Sequence, residues 1–158
     1  MSSQPKLIQV RQILLGTKVE EPAATLPATG IAHLFTVAGG RILVTGLVGQ
    51  VTSACDSTAT TVSVGVTPTA GTASAVSMAS ATAVTSKEIG TLIGLPLTAG
   101  AALVVGGNAG AVVQMPGHAP YVVEPGTIDI TTSATNAGVV KWTLTYVVLD
   151  DGASVTAV

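Results

Sequence analysis

At 158 residues with a net charge of −2, the chain has the length of one ordinary domain and can bury a core without disulfide or metal staples. Its six Lys and Arg residues are too few for the clustered cations that phosphate backbones require, which sets nucleic-acid binding aside. Charged residues make up 9% of the chain, against about a quarter in ordinary globular domains. With a mean hydropathy of +0.65, a lone copy would leave broad, weakly solvated surface, so the composition predicts a homo-oligomer.

Residues 1–30 read as an extended N-terminal arm preceding a β domain over residues 31–158, because Pro5, Pro22 and Pro27 punctuate short apolar pieces and charge is concentrated here. Within the arm, "LIQVRQILL" has a helical period through Leu7, Val10, Arg11 and Leu14, but the alternation of Ile8 and Val10 with Gln9 and Arg11 favours a strand. The first eighteen positions are purely basic, carrying Lys6, Arg11 and Lys18. The plain reading is a solvated terminus. The sharper one is an arm that adds a strand to a partner's sheet edge, with Leu7, Ile8 and Val10 as apolar anchors and the three cations orienting it on an acidic surface. "LPATG" at 26–30 matches the signal cut by cell-wall sortases, but a whole domain follows where that signal needs an apolar span and a basic tail, so chance explains it. Gln9, Arg11 and Gln12 interrupt any signal-peptide-like run, and "AGAALVVGGNAGAVVQM" is too short and too broken by Gly and Asn to span a bilayer. A cytoplasmic protein without a membrane partner is expected.

From Ile31 the pattern is β. "IAHLFTV", the turn "AGG" and "RILVTGLVGQV" read as a hairpin. "TTVSVGV" sets Val62, Val64 and Val66 against Thr61, Ser63 and Gly65, and the Ala/Ser/Thr-rich segment 69–86 that follows reads as a weakly specified strand pair or a loop. Short strands spaced by Gly run through "IGTLIGLPLTAGAALVVGGNAGAVVQM", where Gly-Gly-Asn at 106–108 reads as a tight turn, and two Pro-bounded loops flank a short strand in "MPGHAPYVVEPGTIDI". "GTIDITTSATNAGVVKWTLTYVVLDDG" reads as a closing hairpin, with Val140, Trp142, Leu144, Tyr146 and Val148 on one face and Lys141, Thr143 and Thr145 on the other. Val147 and Leu149 make the end of that strand apolar on both faces, which marks them as an oligomer contact. Short strands without a sustained helical period predict an all-β fold, an antiparallel β-sandwich or barrel of jelly-roll type.

Residues with chemical potential are sparse. His33 lies in a strand and reads as structural, and His118, in "PGHAP", has no second ligand at metal spacing, so no metal site is expected. Cys55 is alone, which excludes an intrachain disulfide and suits a small buried hydrophobe. Asp150 and Asp151 are adjacent, so in a strand they point to opposite faces, and "LDDG" reads as a turn rather than an acid/base pair. "GGNAG" lacks the spacing and the strand-to-helix context of a phosphate loop. No catalytic residue and no cofactor is expected.

Two segments, "ATLPATGIAHLFTVAGGRILVTGLVGQVTSA" and "PGTIDITTSATNAGVVKWTLTYVVLDDGASV", resemble small structural proteins of tailed-bacteriophage virions in their strand-and-turn texture. The resemblance implies a β-rich, often trimeric subunit held on a preassembled shell by extended termini. It implies a virion protein assembled in the host cytoplasm, a decoration or cement protein on the outer head surface, with the major capsid protein or another virion subunit as partner. A tail or fibre component is the neighbouring expectation. A carbohydrate-binding sandwich is the expectation from a different class, although aromatics for sugar stacking are only 3% of the chain.

Overall fold

A computed structural model describes residue 12 and residues 14–70, 75–110 and 121–158. Among the described residues there are eleven strands: β1 (Thr17–Thr25), β2 (Gly30–Ala38), β3 (Ile42–Ser53), β4 (Thr61–Pro68), β5 (Val76–Ala83), β6 (Leu92–Gly94), β7 (Val104–Val105), β8 (Tyr121–Val123), β9 (Gly126–Thr132), β10 (Val139–Val148) and β11 (Ser154–Ala157). They form two antiparallel sheets. Sheet A runs β1-β10-β3-β6-β7, with β8 also paired to β3, and sheet B runs β11-β2-β9-β4-β5. The fold is all-β and has the form of a sandwich; the two sheets do not close into a barrel.

Period-two alternation decides what is buried. On β10 Val140, Trp142, Leu144 and Tyr146 are buried while Lys141, Thr143 and Thr145 are half-exposed. On β9 Ile128 and Ile130 face the same interior, paired with Phe35 on β2 and with Val66 and Val64 on β4. Val148 departs from the expected face: it is 43% exposed. It has the inward parity but lies at the strand's last position, past the edge of the facing sheet's cover.

The hairpins read from the sequence are not hairpins. β2 belongs to sheet B and β3 to sheet A, and β9 and β10 are likewise in opposite sheets. Each connection is an arch that carries the chain across the core. At the β2–β3 arch Gly39 has φ +77° and a Cβ there would overlap the Gly152 carbonyl, so the tight crossing requires glycine. Only β4–β5 and β6–β7 are neighbours both in sequence and in a sheet. Alternation specifies which side chains are buried, but in-plane pairing and crossing bury the same set, so the pattern is silent on which occurs.

The sandwich also starts earlier than residue 31. β1 pairs with β10 from Thr17 to Thr25, and its inward positions are Val19 and Glu21. Of the segment read as a strand, Gln12, Leu14 and Leu15 are helical. Gly16 ends the turn by donating its N–H to the Gln12 carbonyl at 2.9 Å, at φ +81°. The Ala/Ser/Thr-rich segment supplies β5, whose pairing with β4 contains two register shifts. Cys55 is buried.

At one end of the sandwich Asn136, 1% exposed, ties two arches together. Its Oδ1 accepts from the backbone N–H of Asp56 at 3.1 Å and of Gly138 at 2.9 Å, and its Nδ2 donates to Asp56 Oδ1 at 3.0 Å. The Asp56 carboxyl is held below its usual pKa, first by the Ala137 N–H and then by the Thr58 hydroxyl and N–H.

Trp142 packs flat on Gly49 of β3: a Cβ at Gly49 would stand 2.9 Å from ring atom Cζ3. The ring is 2% exposed, so Trp142→Ala is expected to lower stability by about 3–5 kcal/mol through lost burial and a residual cavity. The denaturation midpoint measures this, and an unchanged midpoint would contradict the packing described.

Candidate interaction surface

The outer faces of the two sheets differ. On sheet B a row of threonines, Thr156, Thr36, Thr127 and Thr67, runs in register across β11, β2, β9 and β4. Beside it Asp129, 4% exposed, accepts a hydrogen bond from Thr67 Oγ1 at 2.6 Å and contacts His33 Nδ1 at 2.6 Å. This geometry fixes the imidazole, whose side chain is 55% exposed, and satisfies a carboxylate that would otherwise be stranded. Among the described residues no group of three or more His, Cys, Asp or Glu side chains converges as a metal site would require. His118 lies outside the described residues.

On sheet A the outer face carries an apolar row. Val147 on β10 pairs with Leu43 on β3, which pairs with Val122 on β8. Val147 is 40% exposed and Val122 58% exposed, with Leu43 half-buried between them. A parallel row sets Val48 against Gly94 and Val104, the last also exposed. Leu149, exposed and of the same parity as Val147, lies just past the strand end, and exposed Leu15 lies close by, its carbonyl accepting from Thr45 Oγ1. Lys18, Glu20 and Lys141 form the charged corner of this face, with Glu20 accepting from Lys18 Nζ at 3.2 Å and from Lys141 Nζ at 3.1 Å. These contacts lower the Glu20 pKa, Lys141 more than Lys18.

The two residues singled out as an oligomer contact, Val147 and Leu149, are thus both exposed, at the end of a larger apolar surface. Leu43 and Val122 belong to that surface and the sequence reading passed over them; only the pairing register brings them into line with Val147. Of the partner-binding set, Lys18 is on β1 and ion-paired with Glu20. Lys6, Leu7, Ile8, Val10 and Arg11 lie outside the described residues.

A clamp fixes the end of the row. Arg41 donates through Nε and Nη2 to the two carboxylate oxygens of Asp150, each at 2.9 Å, and through its backbone N–H at 2.8 Å. The Arg41 carbonyl in return accepts from the N–H groups of Leu149 and Asp150. Asp150 is therefore a turn anchor, and Asp151 lies in the turn that follows.

No protein-family model, no curated protein and no solved structure matches this chain.

The Arg41 side chain and N–H hold the Asp150 carboxyl at about 2, below its ordinary 3.8. A depressed acid pKa stabilises the folded form above the ordinary value, and that contribution disappears as pH falls toward the folded one. Both groups are exposed, so the effect is local and small. Hydrogen exchange is expected to show the Leu149 and Asp150 amides losing protection between about pH 4 and pH 2, while the Trp142 amide keeps its own. Equal protection of the clamp amides across that range would show that the ion pair does not hold this end.

Proposed function

We propose that this protein is a non-enzymatic structural subunit that assembles through the outer face of sheet A. Its biological form is a decoration or cement protein on the outer head surface of a tailed-phage virion, a trimer that braces neighbouring capsid subunits. The observation that carries the reading is the apolar row Val147–Leu43–Val122, with a parallel row through Val48 and Val104, on a face whose described ion pairs lie at its margins. Exposed apolar rows of this kind mark association surfaces in chains too poor in charge to solvate them. The trimer and the virion shell come from the resemblance of the two strand-and-turn segments. The basic segment with Lys6, Leu7, Ile8, Val10 and Arg11 is the second contact in this proposal, reaching the capsid subunit.

The sugar-binding alternative needs an exposed aromatic platform. Phe35, Trp142 and Tyr146 are 0%, 2% and 6% exposed, and Tyr121 is half-buried with its hydroxyl donating to the Met78 carbonyl. These four are all the aromatics of the chain, which turns the choice toward protein–protein assembly. A tail or fibre position uses the same surface and is separated from a head position by electron microscopy of the particle.

Sedimentation velocity at micromolar concentration is the test. The wild-type chain is expected to run as a trimer, and Val147→Asp to run as a monomer with an unchanged far-ultraviolet circular dichroism spectrum. A wild-type chain that sediments as a monomer would overturn the proposal. So would a Val147→Asp variant that keeps the wild-type oligomer.

A further inference from the structure

Glu21 stands at an inward-facing position of β1, between the sheets, where alternation calls for an apolar side chain. Its register partner on β10 is Trp142. The residue is 8% exposed, and its Oε2 accepts a hydrogen bond from the Val158 N–H at 3.0 Å. Its Oε1 has no hydrogen-bond partner among the described residues. Burial pushes the Glu21 carboxyl pKa up, and the Val158 contact offsets this only in part. Oε1 is not fully shut off from solvent, and a carboxylate so placed keeps its charge at less cost where a cation or further donors reach it.

Beside it is a cavity of about 70 Å³ at the flank of the sandwich, where the chain arches from β1 to β2. Glu21, Trp142, Leu34, Ile130 and Val140 line it, with His33 contributing from β2. The walls are mostly apolar, with Thr25 and His33 adding polar groups beside the carboxylate. His33 is the one other titratable lining group, and its Nδ1 is engaged by Asp129. The charged side chains adjoining Glu21 on its own strand, Lys18 and Glu20, pair with each other and with Lys141.

We propose that this cavity is a receptor for an aliphatic primary ammonium group, with Glu21 as counter-ion and Trp142 as its aromatic wall. The chemistry selects this class over others. A neutral apolar guest leaves the buried carboxylate unpaired. A divalent cation needs several oxygen ligands, and one carboxylate lines the cavity. A guanidinium needs a planar set of acceptors for its fork of donors, whereas an ammonium is a compact charge on a thin apolar stem. The stem fits the apolar walls, the charge meets Glu21, and an indole ring attracts a cation held against it. Two sources share this chemistry: a free alkylamine and the lysine side chain of another protein chain. The assignment is independent of how the subunits associate.

Trp142 is the only tryptophan of the chain, so its fluorescence reports the cavity directly. The full chain is titrated with n-butylammonium chloride at about pH 8, where carboxylates are ionised in solution. Sodium chloride and n-butanol at matched concentration serve as controls. A saturable change in emission is expected for the ammonium and for neither control. Glu21→Gln, checked for an unchanged circular dichroism spectrum, is expected to weaken binding by about tenfold or more, as for the loss of a charge-assisted hydrogen bond. Wild-type binding is expected to weaken as the pH is lowered and Glu21 takes up its proton. A parallel titration with Nα-acetyl-lysine methylamide separates the sources. Saturation by this compound, and not by its Nε-acetylated form, identifies a protein lysine as guest; saturation by n-butylammonium alone identifies a free amine. No saturable response to either amine overturns the proposal, as does a response of equal size to n-butanol or in Glu21→Gln.

Discussion

One inward row crosses the whole of sheet A: Glu21 on β1, Trp142 on β10, Gly49 on β3, Ile93 on β6 and Val105 on β7 are successive register partners. The indole is the largest side chain in the core, and the sheet accommodates it by leaving Gly49 without a side chain beneath it. That pairing fixes the register of β10 on β3, because a slip of one residue would turn the ring outward and place a bulky neighbour where the glycine stands. It also shapes the flank. With the ring lying on Gly49 of β3, the β1 side of the row is not filled by an aliphatic residue but by the Glu21 carboxylate and the adjoining cavity. The unusual chemistry at the edge and the ordinary packing at the centre are two ends of one row.

The scarcity of charge has a counterpart in where the charges sit. Arg41 and Asp150 join the start of β3 to the end of β10. Lys18, Glu20 and Lys141 join β1 to β10 on the outer face. Asp56, through Asn136 and the Ala137 N–H, joins the β3–β4 arch to the β9–β10 arch. Asp129 joins β9 to β2 and β4. In each case the charged group ties together segments far apart in sequence. Sheet B presents a threonine row to solvent and sheet A two apolar rows, the asymmetry on which the proposed association rests.

Much of the core was legible from alternation, since Val62, Val64, Val140, Trp142, Leu144 and Tyr146 are all buried as their periodicity requires. Connectivity was not legible. The Gly-rich link after β2 and the Asn/Gly-containing link before β10 have the composition of hairpin turns, yet both arch between sheets, because turn residues permit a reversal of direction without choosing its plane. Leu7–Leu15 offered two periods, and the described part of it is helical because Gly16 closes the turn. The surface was half visible. Val147 and Leu149 stand out as apolar residues on both faces of a strand end, whereas Leu43 and Val122 acquire meaning only through pairing with a third strand. Glu21 had a local signal in "TKVEEP", a carboxylate two residues after an inward valine, which is informative only once β1 is known to be a strand.

The sheet edges at β1, β5 and β11 are blunted, which supports the proposed association through a face rather than an edge. The outer edge of β5 is occupied: Ser80 donates to the Ala101 carbonyl, Leu103 donates to the Ser80 carbonyl, and Gly100 donates to that of Met78. β11 is four residues long, and Val158 beyond it is tied back to Leu34 and Glu21. β1 is longer, but it has a register shift between Glu21 and Ala24, contains Pro22 and bears Lys18 and Glu20. Bulges, prolines, inward carboxylates and edge charges are the devices that keep a strand from pairing with a neighbour's. A strand added by a proposed arm would therefore meet an irregular acceptor at β1, β5 and β11. In the proposed function, copies of this chain would therefore meet through the apolar rows of sheet A, which no blunted edge interrupts.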